Sequence, residues 1–207
     1  SGTIIEGYPL FANWTYPILG WKDRDGNGYI DSDEVMVGDS LMYVGPTQPK
    51  YTAYMSHFFG FLNNRLTLNA NFAYSSGQSL YNQGRESLVS AMGAANIDKL
   101  SLRDQACFAA TQYVTGRNRS AQCFMETVKV LRLQDMTLSY ALPQALAQRI
   151  GATAASVRVT GRNLFMTSSF KGRDPGINTE PVTGNAVTAG PAFGAPREYG
   201  LGIQLSF

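Results

Sequence analysis

Residues 65–75 read R-L-T-L-N-A-N-F-A-Y-S, and apolar side chains occupy every second position. These apolar residues are Leu66, Leu68, Ala70, Phe72 and Tyr74. Side chains alternate with a period of two in a strand and recur every 3.6 residues in a helix. A helix would therefore scatter the apolar set, whereas a strand collects it on one face. The stretch predicts a β-strand with one apolar and one polar face.

Four more segments are predicted as strands. Residues 198–207 repeat the alternation, with an apolar face of Tyr199, Leu201, Ile203, Leu205 and Phe207. Residues 51–62 are rich in aromatics, residues 155–166 contain S-V-R-V-T-G-R-N-L-F, and residues 128–140 alternate only in their second half. The fold class is therefore all-β with about five antiparallel strands. The soluble alternative is a β-sandwich that buries one face of each strand.

Composition narrows the class of protein. The chain has 207 residues, with 17 Lys plus Arg against 15 Asp plus Glu, which gives a formal net charge of +2. This balance argues against a nucleic-acid partner, since such proteins carry a basic stripe. Charged residues make up 15%, below the roughly 25% of soluble domains. With 12% aromatics, 21 Gly and no apolar run of about 18 residues, the composition favours a β-barrel between lipid and a wet lumen over a transmembrane helix.

The predicted connections alternate in length. The first is the pair Asn63-Asn64, the second covers residues 76–127, the third has about 14 residues, and the fourth about 30. Outer-membrane barrels combine short periplasmic turns with long extracellular loops in this way. The pattern predicts transmembrane strands in the lipid bilayer of a bacterial outer membrane. It also places the C-terminus in the periplasm, with Phe207 in the interfacial aromatic girdle.

Five strands do not close a barrel, because the smallest bacterial barrels have 8. An open sheet in lipid leaves unpaired edge groups that each cost several kcal/mol. We therefore expect residues 1–207 to be part of one barrel domain. Its closure requires either a longer polypeptide, of which this is the end, or other chains. The opening Ser1-Gly2-Thr3 carries no signal-peptide pattern and indicates an internal or processed start.

Residues 23–34 read D-R-D-G-N-G-Y-I-D-S-D-E and match the EF-hand calcium loop. The candidate ligands for Ca²⁺ are Asp23, Asp25, Asn27, the Tyr29 carbonyl, Asp31 and Glu34. Neither flank has the pattern of a long helix, so we expect the loop alone, within an extracellular loop of residues 1–49 that precedes the strands and loops of residues 50–207. The alternative is an acidic turn that is merely solvated.

The remaining candidates are few. Cys107 and Cys123 lie 16 residues apart and would form a disulfide in an oxidising compartment, the alternative being two unrelated thiols. His57, the one histidine, lies in an aromatic run and is predicted to be a wall residue. No Ser-His-Asp or Cys-His set can be assembled around it. The chain is therefore predicted not to be an enzyme.

Several motifs together resemble the C-terminal barrel region of SusC/RagA-like TonB-dependent transporters. The first group is G-W-K-D-R-D-G-N-G-Y-I-D-S-D-E (20–34), V-G-D-S (37–40) and P-T-Q-P-K-Y (46–51). The second group, in the same order as in the family, is L-R-L-Q-D-M-T-L-S-Y-A-L-P (131–143), T-G-R-N-L-F (160–165), G-R-D-P (172–175) and the ending Y-G-L-G-I-Q-L-S-F. The loop between the two cysteines has no counterpart in the family pattern.

The resemblance implies the last strands of a 22-stranded barrel that is filled by an N-terminal plug. It implies import of a bulky nutrient such as a glycan or peptide, driven by the TonB complex beneath a SusD-like lid lipoprotein. Phe207 would be the outer-membrane assembly signal. The residues also admit a second interpretation, a secreted or surface-exposed calcium-binding β-rich structural or interaction protein that assembles with other chains.

Overall fold

The computed structural model describes residues 5–176, 188–189 and 194–207. In chain order the strands are β1 (Asn13–Thr15), β2 (Ile18–Trp21), β3 (Val35–Val37), β4 (Met42–Gly45), β5 (Tyr51–Phe61), β6 (Leu66–Asn82), β7 (Met125–Ala141), β8 (Ala154–Ser168), β9 (Thr188–Ala189) and β10 (Glu198–Ser206). The α-helices are α1 (Gln83–Ala95), α2 (Leu102–Thr111) and α3 (Gln144–Arg149). Single 3₁₀ turns lie at Ile97–Lys99 and Gln122–Phe124.

The described chain forms two compact units. The first comprises the described residues of Ser1–Lys50, Ser76–Lys129 and Ser169–Gly194. The second comprises those of Tyr51–Ser75, Val130–Ser168 and Ala195–Phe207. Because β6 and β7 are long, each contributes residues to both units.

The main sheet has the strand order β10-β8-β7-β6-β5, and β9 pairs with β6 in parallel outside this path. Strands that follow one another in the main order are antiparallel neighbours, as in an up-and-down meander. The five predicted strands are thus confirmed as one antiparallel sheet. No helix among the described residues is long and apolar enough to cross a membrane.

Strand β6 runs seven residues beyond the predicted end. The alternation stops near Gly77, which has a φ of +86° and whose added Cβ would lie 2.8 Å from the Lys50 Cβ. A close approach of this kind excludes a side chain, so the apolar pattern is interrupted while the strand continues.

The first turn differs from the prediction of a two-residue hairpin. Four residues, 62–65, connect β5 to β6. Leu62, Asn63 and Asn64 have φ values of 54°, 54° and 62°. The two asparagines tolerate this left-handed region, but a leucine does so rarely, and sequence reasoning therefore placed Leu62 in the strand.

The long connection predicted over residues 76–127 contains two helices, which the sequence patterns did not reveal. The side chain of Asn82 caps α1 by accepting a hydrogen bond from the Arg85 amide at 2.9 Å. Ser101 caps α2 by accepting from the Asp104 amide at 3.1 Å and donates its hydroxyl to the Asp104 carboxylate at 2.8 Å. The sequence S-L-R-D at residues 101–104 was the available signal of a helix start.

Among its described residues, the core of the first unit includes two small buried clusters. One contains Ile30, Val35, Ala106, Ala109 and Ala110. The other contains Val89, Cys107 and Phe124. A disulfide joins Cys107 of α2 to Cys123 in the 3₁₀ turn before β7.

In the second unit the described buried apolar residues are Val130 and four alanines, Ala70, Ala147, Ala152 and Ala155. All 11 residues of β5 and all 9 residues of β10 are exposed, including the large apolar ones. A soluble antiparallel sheet normally buries one face. The exposure therefore sets this sheet apart from a sandwich layer.

Candidate functional site: the acidic loop and the apolar sheet face

The acidic loop connects two short strands and no helices. Strands β2 and β3 pair antiparallel, with Ile18 opposite Val37 and Trp21 opposite Val35. Residues 23–34 therefore form the loop of a β-hairpin, which keeps the calcium-loop sequence without the helix-loop-helix fold.

Three carboxylates converge in this loop. Oxygen atoms of Asp23, Asp25 and Glu34 lie within 4.8 Å of one another. Asp23 accepts backbone hydrogen bonds from Gly28 at 2.9 Å and Gly26 at 2.7 Å. The bond from Gly28 is the main reason why the pKa of Asp23 is lowered, since it stabilises the ionised form. Asp23 is therefore an anion at neutral pH.

Glu34 is the most enclosed of the three, with 4% of its surface exposed. Its carboxylate accepts the backbone amides of Arg24 and Asp31. Amide donors are neutral and therefore do not cancel the negative charge of this buried carboxylate. The two neighbouring acids add repulsion, because like charges at this distance destabilise one another. Oxygen ligands clustered around uncompensated negative charge fit a hard divalent cation such as Ca²⁺.

The other predicted ligands are placed less directly. The Asn27 amide nitrogen donates to Asp25 at 2.9 Å and to Asp31 at 3.2 Å, which links Asp31 to the cluster. The Asn27 side-chain oxygen instead accepts the Tyr29 amide at 2.7 Å. To serve as a ligand, Asn27 would have to turn its oxygen towards the carboxylates. The structure thus brings together Asp23, Asp25 and Glu34, with Asp31 attached through Asn27.

Sequence reasoning missed two residues that hold the loop against α2. The side-chain oxygen of Gln105 accepts the Ile30 amide at 2.9 Å, and its nitrogen donates to the carbonyls of Ile97 and Leu100, both at 3.1 Å. Ile30 itself is 2% exposed and packs in the cluster with Val35. A glutamine on a short helix gives no signal of such a role.

The second residue that holds the acidic loop against α2 is Arg117. Its guanidinium donates to the Ser32 carbonyl and to the Val35 carbonyl at 3.3 Å on the loop side, and to the Ala109 carbonyl at 2.7 Å on α2. Burial lowers the pKa of Arg117, and the nearby Asp33 carboxylate partly opposes this shift. Through these hydrogen bonds Arg117 connects the C-terminal end of the acidic loop to the C-terminal end of α2.

Strands β7, β8 and β10 share an apolar face. Residues directly opposite one another in paired strands share a face. The pairing of β10, β8 and β7 aligns three apolar rows: Tyr199–Gly161–Met136, Leu201–Val159–Leu138 and Ile203–Val157–Tyr140. Leu201 and Ile203 are 73% and 69% exposed. Apart from the Leu164 side chain next to Gly161, the described residues leave these rows largely open, and Val159 is 48% exposed.

Polar rows occupy the other face of the same strands. They are Glu198–Arg162–Asp135, Gly200–Thr160–Thr137 and Gly202–Arg158–Ser139. Arg162 lies 3.8 Å from the Glu198 carboxylate, and the Asn71 amide of β6 extends the first row by donating to Asp135 at 2.8 Å. The sheet thus separates an apolar face from a charged one.

Two further predicted positions lie on this sheet. The His57 ring stacks near Phe59 at 6.1 Å and meets the edge of Phe72 at 5.9 Å, so it lies among aromatic side chains of β5 and β6. Phe207 follows β10 and is 84% exposed.

Comparisons with known proteins support the fold. The chain is similar to the solved structure of the RagAB peptide transporter, with 21% sequence identity and a TM-score of 0.63. It is equally similar to the RagAB peptide importer in the open-open state, TM-score 0.63, and in the closed-closed state, TM-score 0.62, each at 21% identity. Each match covers 97% of this chain and 23% of the other. This chain therefore spans less than a quarter of those it matches.

These matches indicate a distant relationship at the level of the fold, which agrees with the motif resemblance. The matched chains come from proteins described as transporters and not as enzymes, in accord with the prediction for this chain. No family model matches the sequence, and no curated protein matches it.

Proposed function

We propose that this chain is the C-terminal part of the β-barrel of a SusC/RagA-like TonB-dependent transporter in the bacterial outer membrane. The observation that carries the proposal is the uncovered apolar face of a sheet whose other face is charged. Transmembrane barrels alternate apolar residues towards lipid with polar residues towards the lumen. In this assignment Leu201 and Ile203 contact acyl chains, whereas Arg162 and Asp135 face the lumen.

The edges of the sheet support a larger barrel. Strands β5 and β10 end the strand order, and each presents one side without a neighbour in the main order. Such edges are costly in a bilayer, where water does not satisfy backbone groups. The remaining strands of a 22-stranded barrel would pair with them, and a plug would fill the lumen. A share of 23% of the matched chains is consistent with such a part.

The lengths of the connections indicate which ends of the strands would face the periplasm. Residues 62–65 and 142–153 are the shorter connections, the second of which contains α3, whereas α1, α2 and the disulfide occupy the long connection between β6 and β7. Because outer-membrane barrels have their shorter connections in the periplasm, we assign these two connections and Phe207 to the periplasmic side. The acidic loop then lies outside the cell, where it holds Ca²⁺ through Asp23, Asp25 and Glu34.

The proposed activity is import of a bulky nutrient, a glycan or a peptide, coupled to the TonB complex. A SusD-like lid lipoprotein is the proposed outer partner. The peptide transporter among the structural matches supports a bulky cargo, and the family resemblance supports the partners.

The test is where the two faces of the sheet lie in a membrane. The complete polypeptide that contains this chain would carry Leu201→Cys or Thr160→Cys, labelled with a bimane fluorophore and folded into vesicles of phosphatidylcholine. Brominated acyl chains should quench the label at position 201 strongly and the label at position 160 weakly.

Equal quenching at the two positions would refute the proposal. It would favour the second interpretation, in which another protein chain covers the apolar face of a surface-exposed β-rich protein. Co-purification of a stoichiometric partner without detergent would then be expected.

A further inference from the structure

A cavity of about 480 Å³ lies within the first unit, and none of the three clustered carboxylates lines it. Side chains from β2, from the first turns of α1 and α2, and from the start of β7 line it. Ligand cavities in proteins usually measure about 300–1,000 Å³. The size therefore suits a small ligand or one to two residues of a larger one.

Two of the charged residues in the cavity wall are already engaged. Arg85 pairs with Asp104 at 3.2 Å and lies over the Phe124 ring at 6.0 Å. Glu126 accepts the Asn82 amide at 2.9 Å and the backbone amide of Lys171 at 2.8 Å. Asp104 therefore neutralises Arg85, whereas Glu126 keeps its negative charge because both of its donors are neutral amides. The wall thus sets this one negative charge against the two further cations Arg103 and Lys171.

Two other cations in the wall have no ion-pair partner among the described residues. The side chains of Arg103 and Lys171 border the cavity, and both residues are exposed. No described residue accepts a hydrogen bond from either side chain or forms an ion pair with it. Within the described part of the chain, the cavity thus presents a guanidinium and an ammonium to which an anion could bind. Guanidinium groups bind carboxylates in a two-pronged geometry.

The rest of the wall combines the polar Gln122 and the disulfide-bonded Cys123 with three apolar side chains. Ile18, Trp21 and Met125 line it, and Trp21 is 41% exposed. The aliphatic Ile18, the thioether of Met125 and the indole of Trp21 can contact the apolar part of a ligand that also carries charge. For a sugar ring we would expect several flat aromatic side chains, whereas the described lining contains one, Trp21.

We propose that the cavity binds a peptide through an acidic residue, with its carboxylate between Arg103 and Lys171 and the neighbouring apolar side chain against Trp21. The inference deepens the proposed import function, on which it rests for its biological meaning. It selects peptide over glycan and assigns the residues that select an acidic cargo.

The test measures binding and needs no transport. The complete polypeptide in detergent would be titrated with fluorescein-labelled Gly-Leu-Glu-Phe-amide and with its Gln counterpart, followed by fluorescence anisotropy. The Glu peptide should bind more tightly. Arg103→Gln and Lys171→Gln should each weaken it about fivefold, the upper end for a partly exposed ion pair, and leave the Gln peptide unchanged.

The matched control is Lys99→Gln, since Lys99 is an exposed cation that does not line the cavity. It should leave both affinities unchanged. Equal binding of the two peptides, or an equal loss with Lys99→Gln, would overturn the proposal. Stronger competition by an oligomer of glucuronic acid than by the Glu peptide would overturn the choice of peptide. Failure in this assay with normal bilayer quenching at position 201 would leave the proposed membrane location standing.

Discussion

Placing an arginine on the apolar sheet face gives the sharpest test of the membrane assignment. Ile203 is 69% exposed in β10 and lies opposite Val157, which in turn lies opposite Tyr140. Its neighbour Gln204 points to the other face and lies opposite Ser156. Ile203→Arg and Gln204→Arg therefore introduce the same group one residue apart, on opposite faces.

The expected magnitude follows from depth. The nine residues of β10 span about 30 Å at about 3.3 Å per residue, and Ile203 is one residue from their centre. An arginine facing lipid near the midplane costs about 2–4 kcal/mol. An exposed substitution in water usually changes stability by less than about 0.5 kcal/mol. We therefore expect Ile203→Arg to lower the free energy of unfolding by about 2–4 kcal/mol. Gln204→Arg should change it by less than about 0.5 kcal/mol.

The assay is folding of the complete polypeptide into phosphatidylcholine vesicles across a urea series. The folded fraction is read from heat-modifiable mobility on gels. Ile203→Arg should lower the urea midpoint or prevent insertion, while Gln204→Arg should follow the unchanged protein. If both variants behaved alike, the apolar face would not contact lipid and the reasoning would fail.

Three other perturbations have defined outcomes. Chelation of calcium should increase proteolysis of the acidic loop, and Asp23→Ala with Asp25→Ala should abolish the difference between calcium and chelator; equal protection throughout would exclude the metal. Ile30→Ala should destabilise the first unit by about 2–5 kcal/mol because it empties a buried site, measured by hydrogen exchange of α2 amides. Gly161→Ala should impair folding into vesicles, because the new Cβ would lie 2.8 Å from Leu164, and Leu164→Ala should restore it. Failure of that rescue would show that the contact is not the cause.

The periodic parts of the fold could be predicted from the sequence, because alternation reports directly which face a strand residue occupies. Strands β5 and β10 match their predicted ranges to within one residue. The helices were missed because their ends depend on single caps such as Ser101 and because α2 buries a polar residue, Gln105. The contacts of Arg117 bridge more than 80 residues of sequence, and no local pattern encodes a partner at that distance.

The low charge content of 15% agrees with the separation of apolar and polar faces in strands β7, β8 and β10. Among the described acidic residues, the long strands β5–β8 and β10 contain Glu126, Asp135 and Glu198. Asp135 and Glu198 lie in the polar row with Arg162, and Glu126 holds the Asn82 amide in the first unit. The aligned apolar rows of β7, β8 and β10 thus carry no acid. A soluble β-protein has no reason to clear charge from an exposed face, whereas a lipid-facing one must, since a charge there costs several kcal/mol.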